Sequence, residues 1–301
     1  MSERAELRLD CGNELGESPV WCESSGTLYW INVTPGRVYQ WKPRSDRFDF
    51  WEFGGLVTGL NLVRGGGLLV HGRDGLWHLD PASGVRSAIF NLPPAAGAMR
   101  FNDGHCDPAG RLWVGTTRDN IDAAGEALTE ALVRDGRLYV VEGAAARAID
   151  ERLGCPNGIC WSPDGRRFYM ADSCDGWLYD YSFDSVAGAI QDKRPFFRLD
   201  GCGVPDGAAV DCEGNIWNAR WGAGAVIRIS PDGALDRLVR LPVSLPTACC
   251  FGDDDRRTLY VTSARFSLQS QRLQAEPLAG GLFSLRVDVP GADTHAFAPG
   301  D

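Results

Sequence analysis

Cys155 to Ser173 reads CPNGICWSPDGRRFYMADS. A polar residue beside glycine (Asn157, Gly158) precedes an apolar run (Ile159 to Trp161). A turn of Ser162, Pro163, Asp164 and Gly165 follows, and a second apolar run (Phe168 to Ala171) closes the unit. Short apolar runs separated by Pro, Asp and Gly read as strands joined by tight turns. The same order returns as LGESPVWCESSGTLYWI, RFNDGHCDPAGRLWVGT and VPDGAAVDCEGNIWNAR, and more loosely as LVTGLNLVRGGGLLVHG and TACCFGDDDRRTLYVTSA. The chain therefore holds six copies of one unit.

Aligned on the apolar residue of the second run, the copies fall at Leu28, Leu68, Leu112, Phe168, Ile216 and Leu259, in steps of 40, 44, 56, 48 and 43 residues. Steps of this size, filled with strand and turn signals, predict an all-β fold: a six-bladed β-propeller with one four-stranded antiparallel sheet per blade around a central channel. Each unit also has a glycine-led partner strand, beginning at Val38, Leu76, Leu138, Leu178, Val226 and Leu282. Four of the connections are of hairpin length. The third and sixth units carry insertions, 117–135 and 264–281, which we expect to border a ligand entrance. The first should hold a short helix from Ala123 to Val133, and the second reads as polar and irregular. Aromatic residues recur at two phases, Trp21 and Trp161 seven residues before the aligned position and Tyr29, Trp113, Tyr169, Trp217 and Tyr260 one after it, and are expected to pack between blades.

Composition agrees with one domain spanning residues 1–301. Hydrophobic residues make up 44% of the chain, with 37 Gly and 17 Pro to serve many turns. A net charge of −10 offers no electrostatic footprint for nucleic acid or anionic lipid. MSERAELRLD lacks the apolar core of a secretory leader, and no run of about 18 apolar residues could span a bilayer. The expectation is a cytoplasmic protein, monomeric by default, with ten reduced cysteines that act mainly as small buried hydrophobes.

Counted back from the same alignment, Glu17, Asn102, Asn157 and Asp206 lie 10 or 11 residues before the aligned position. In a propeller the first strand of each blade lines the channel, so residues of equal phase converge on the axis. Carboxylates and amide oxygens gathered there call for a cation, and all-oxygen donors suit Ca²⁺, Mg²⁺ or Mn²⁺, with Zn²⁺ and Fe²⁺ also able to bind. Asn-Gly and Asp-Gly also make turns, a reading that the pattern leaves open. No Gly-x-Ser-x-Gly elbow surrounds Ser18 or Ser173, and the Gly65 to Gly67 turn lacks the Lys of a phosphate loop.

LGESPVW, RFNDGHCDPAGRLWVGT, PNGICWSPDGRRFYMADS, PDGAAVDCEGNIWNARWGAGAVIRISPDG and ACCFGDDDRRTLYVTSAR resemble, in order, the segments of the SMP-30/gluconolactonase/luciferin-regenerating-enzyme family. The resemblance covers nearly the whole chain. It implies one divalent metal held by Glu17, Asn157 and Asp206, substrate contacts from Arg100 and Asn102, and hydrolysis of a small sugar lactone. Asp206 can then serve both as ligand and as general base. Many relatives place an acidic residue soon after the Gly-Thr that ends the third repeat. Here Gly115 and Thr116 lead into Thr117, Arg118, Asp119 and Asn120. Asp119 or Asn120 takes that role, or Arg118 marks a more anionic substrate. Two other readings stand beside the lactonase: an esterase of organophosphate type on the same scaffold, and a non-catalytic propeller plugged by its metal.

Overall fold

The computed structural model describes residues 4–73, 75–91, 99–122, 125 and 133–300. Six four-stranded antiparallel sheets surround a channel, as the repeat spacing requires. In blade 1 the strands run outward as Gly16–Cys22, Thr27–Asn32, Arg37–Lys42 and Arg47–Glu52. The second strand is wholly buried and the outermost almost wholly exposed. The inner strands of blades 2 to 6 are Val57–Leu62, Met99–Cys106, Pro156–Trp161, Val204–Val210 and Pro246–Gly252. All six aligned apolar residues, Leu28 to Leu259, are at most 1% exposed. The repeat's strongest sequence signal is thus its deepest packing position.

Closure uses the other end of the chain. Blade 6 takes its outermost strand from Glu6–Leu9, which pairs with Leu282–Arg286. A strap from Pro290 to Ala298 crosses the far face. It bonds to Val210 and Cys212 in blade 5, Arg256 in blade 6, Leu62 and Arg64 in blade 2, and Gly110 in blade 3. Phe297 anchors it, fully buried between blades 2 and 3.

The core is divided into six apolar clusters, one at each blade junction. Recurring aromatics fill these junctions. Trp21 stacks on Tyr260 across blades 1 and 6 with ring centroids 6.0 Å apart, and Trp113 meets Trp161 edge-on across blades 3 and 4 at 6.1 Å. The turns of the repeat are tied to the same aromatics. Asp107 accepts the backbone N–H groups of Ala109, Gly110 and Arg111 on Oδ1, and Arg111 Nε (2.6 Å) and Trp113 Nε1 (3.0 Å) on Oδ2. Asp211 repeats the pattern with Asn215, Trp217 Nε1 and Arg228. The Asp-to-Trp spacing in DPAGRLW and DCEGNIW therefore records one carboxylate that both shapes a hairpin and fixes an indole.

Most of the helix expected from Ala123 to Val133 lies outside the described residues; Val133 itself is not helical. The second insertion is less irregular than its composition suggested, because Ser270–Ala275 forms a short helix. At six residues it is too short to show periodicity, and it has no fully buried face. An Arg272–Glu276 ion pair spans its last turn, and Glu276 also accepts the Ser244 N–H.

His71 is fully buried, and its Nε2 donates to Asn61 Oδ1 at 2.9 Å, since the Asn61 amide N–H is given to Gly104 O. Burial, with a smaller push from His105, lowers its pKa from 6.5 to about 3. The unfolded chain binds this proton more readily, so the contribution is intact above pH 6.5 and is lost as pH falls towards 3. Urea unfolding between those limits should therefore show a shallower pH slope for His71→Gln than for the parent. At neutral pH, Asp107→Ala should cost about 3–5 kcal/mol, because it strands the buried Arg111 guanidinium. Asp107→Asn, which keeps an acceptor oxygen, should cost less.

Candidate active site

A strand alternates its faces with period 2, so a residue aims along the channel only where that alternation is broken. All six inner strands break it at the same place. Their register shifts lie between Glu17 and Val20, Val57 and Gly59, Phe101 and Gly104, Asn157 and Cys160, Pro205 and Ala208, and Pro246 and Cys249. Ser18 and Gly158, each just past its ring residue, have φ of 48° and 57°. A Cβ on Gly158 would lie 2.8 Å from Asp206 O, so only glycine lets blades 4 and 5 approach so closely.

The shifts generate a ring of Glu17, Thr58, Asn102, Asn157, Asp206 and Thr247, each four or five residues before the end of its inner strand. Four members are those expected. Thr58 and Thr247 turn their hydroxyls into the wall, donating to Gly72 O (3.1 Å) and Gly16 O (2.5 Å). Glu17, Asn102 and Asn157 face a cavity of about 30 Å³, whose wall also includes Ser18, Thr58, Arg100 and Asp103. That volume is about the space of one liquid water. Asp206 stands outside this wall, near enough for its charge to act on Glu17.

Directed hydrogen bonds hold the polar wall. Arg100, only 7% exposed, donates from Nη1 to Phe101 O (3.0 Å) and Asn102 Oδ1 (2.8 Å), and from Nη2 to Asn120 Oδ1 (2.9 Å). Its Nε–H is buried with no acceptor among the described residues. Asn102 Nδ2 donates to Pro156 O (2.9 Å) and Asn157 Oδ1 (2.8 Å). Asn157 Nδ2 in turn donates to Ser173 Oγ (2.8 Å).

Charge in this wall is unbalanced. Burial, then Asp206 and Asp103, push the Glu17 carboxyl well above the ordinary carboxylate range, opposed by the Ser18 N–H and Arg100. Burial, then Asp103, do the same to Asp206, opposed by the Gly207 N–H and Arg220. Glu17 keeps some accessible surface, but that surface is channel wall. The only hydrogen bond to its carboxylate among the described residues is the Ser18 N–H at 3.3 Å. Carboxylates so placed are protonated or neutralised by a cation, and oxygen donors around a small cavity fit a divalent ion. No three His, Cys, Asp or Glu side chains among the described residues gather closely enough to hold an ion by themselves. A cation here would need amide, carbonyl or water oxygens beside the carboxylates.

Both insertions leave the channel at this end. Ile121 and Phe266, one from each, pack into the same cluster between blades 1 and 2. On the rim Asp119 is paired with Arg73, Arg118 with Asp135, and Arg134 with Asp175 at 3.2 Å. Asp119 is thus already neutralised. Asn120 is exposed and receives Arg100. Below the ring, His105 Nε2 lies 3.5 Å from Asp103 Oδ1 and faces a larger cavity of about 260 Å³. That cavity opens at the opposite end, beneath the strap, and holds none of the ring residues.

Sequence reasoning missed Thr58, Thr247, Asp103 and Cys155, whose Sγ receives the Asn102 amide at 3.5 Å. Counting forward to the end of each inner strand, instead of back across hairpins of unequal length, finds both threonines at once. Asp103 is visible as the one acidic residue directly after a ring position.

Residues 15–265 match the SMP-30/Gluconolactonase/LRE-like region. The chain is 36% identical to a 6-deoxy-6-sulfogluconolactonase of Pseudomonas putida over 99% of its own length and 100% of that protein. It is 32% identical to regucalcin of Oryctolagus cuniculus, covering 98% and 99%. A calcium-binding regucalcin from Agrobacterium tumefaciens superposes with a TM-score of 0.89 at 29% identity, over 98% of this chain and 97% of that one. With the repeat, the six blades and the motifs in register over nearly the full length, this chain belongs to the SMP-30/gluconolactonase/LRE-like family.

Proposed function

We propose that this chain hydrolyses a sugar-acid lactone, an aldonolactone, to the free acid, with one divalent cation held by Glu17, Asn157 and Asp206. The observation that carries the reading is the pair of buried, mutually repelling carboxylates beside the Asn157 amide, which lines the same cavity as Glu17, and a buried arginine with a spare N–H. The relatives named for gluconolactone hydrolysis and for calcium binding support the substrate class and the ion. Bound there, a divalent cation supplies Lewis-acid polarisation of the lactone carbonyl and makes water a nucleophile at neutral pH.

The protein's own groups do the rest. Asp206 accepts the proton of the attacking water and returns it to the ring oxygen as the acyl C–O bond breaks, leaving the free acid and a hydroxyl. The Arg100 Nε–H donates to a substrate oxygen. Asn102 holds Arg100 and Asn157 in place and keeps a lone pair on Oδ1 for a sugar hydroxyl. On the rim, Asn120 offers its free Nδ2 donor. The rim charges of Arg73, Arg118 and Arg134, each paired with a carboxylate, suit an uncharged, hydroxyl-rich ligand.

Acid release from a panel of aldonolactones, one carrying a 6-sulfonate, should be restored to metal-stripped protein by at least one of Ca²⁺, Mg²⁺, Mn²⁺, Zn²⁺ or Fe²⁺. No acceleration over spontaneous hydrolysis with any ion sinks the reading, and turnover of a phosphotriester alone redirects it. Asp206→Ala should lower kcat/KM by about 10³-fold or more while leaving the fold intact by circular dichroism. Asn120→Ala should raise KM a few-fold and barely change kcat.

A further inference from the structure

We infer that Ser173 is a positioning residue: its hydroxyl sets which end of the Asn157 amide faces the channel and ties that ligand to the backbone beside Asp206. The inference rests on the cation site proposed above. Ser173 lies just past the second strand of blade 4, Arg167–Asp172, where its N–H bonds to Cys155 O at 3.0 Å. Its Oγ–H donates to Pro205 O at 2.6 Å, across the junction in blade 5. A serine hydroxyl has one proton, and a carbonyl can only accept, so that bond fixes the direction of everything behind it. The remaining lone pairs on Oγ face Asn157 Nδ2 at 2.8 Å.

The two ends of an amide have nearly the same shape, so its neighbours decide its orientation. Turned the other way, Asn157 would set Oδ1 against an oxygen with no proton to give. It would also set its NH₂ against the NH₂ of Asn102, which is itself fixed by donating to Pro156 O and accepting from Arg100. The relay thus runs between two proline carbonyls, Pro205 O and Pro156 O, and its outcome is an oxygen facing the ion. Without the Ser173 hydroxyl the Asn157 NH₂ keeps, among the described residues, only the Cys155 sulfur, at 3.8 Å. Because Pro205 precedes Asp206, the same hydroxyl also governs the spacing of donors contributed by two blades.

Isothermal titration of Mn²⁺ and Ca²⁺ into the metal-stripped full chain tests this. Ser173→Ala should raise Kd by about 10–100-fold, the usual effect of removing a group that orients a ligand. Ser173→Thr, which keeps the hydroxyl, should stay within about threefold of the parent, and both variants should melt within a few degrees of it. A carboxylate presents an oxygen whichever way it turns, so in an Asn157→Asp background Ser173→Ala should cause no further loss. Parent-like affinity in Ser173→Ala overturns the inference. So does an undiminished effect in the Asn157→Asp background, which would mean that Ser173 acts through packing alone. A parent protein that binds neither ion removes this inference and the cation site together. Binding that depends on Ser173 without lactone turnover keeps the inference and removes only the substrate assignment.

Discussion

Apolar packing in this protein runs between blades and not around the axis, and the channel depends on that choice. Each sheet buries both faces against its neighbours, with one cluster at every junction. Nothing apolar is then needed at the centre, where inner strands can expose polar groups without competing for core volume. Side chains that would be costly in an ordinary core, such as Glu17 and Asp206, are carried by the depth of the junctions beside them. The repeated register shift is what turns that permission into a site. It lets one position per blade break the alternation of its strand and point inward.

The same features explain what could be read in advance. Blade number and strand order were plain because buried apolar residues recur at fixed phase and the turns are chemically distinct. The ring was half visible. Glu17, Asn102, Asn157 and Asp206 carry conspicuous polar groups, whereas Thr58 and Thr247 look like ordinary strand residues. Asp103 stands directly after Asn102 in the sequence, but its place at the channel follows from a register shift, and an irregularity, unlike a period, leaves little trace there. The partners of Arg100 and Asn157 were out of reach for another reason: they are decided by which oxygen already holds a proton, a property of assembled neighbours. The short helix at Ser270–Ala275 is set by local ion pairing and its bond to Ser244, which no periodicity announces.

The two ends of the channel hold cavities of different size and chemistry. The larger one lies under the strap and is lined in part by Cys106, Cys160, Cys249 and Cys250. Burial raises all four thiols, Cys249 to about 12, so they behave as neutral hydrophobes and not as nucleophiles. The smaller cavity, about 30 Å³, carries the unbalanced carboxylates. What distinguishes it is electrostatic tension, which volume does not measure.

The borrowed strand of blade 6 has a consequence for how the ring comes into being. Glu6 pairs with Ser284 and Leu7 with Phe283, so the first strand made waits for nearly the last. Through most of synthesis, five blades can build up in order from local hairpins while Glu6–Leu9 has no sheet to join. Contacts of such long sequence separation form late and slowly. Until they form, the face of blade 1 that Trp21 shares with Tyr260 is open to solvent. The ring therefore closes in one late event that seals a hydrophobic seam, and the hazard of wrong association is concentrated at that single junction.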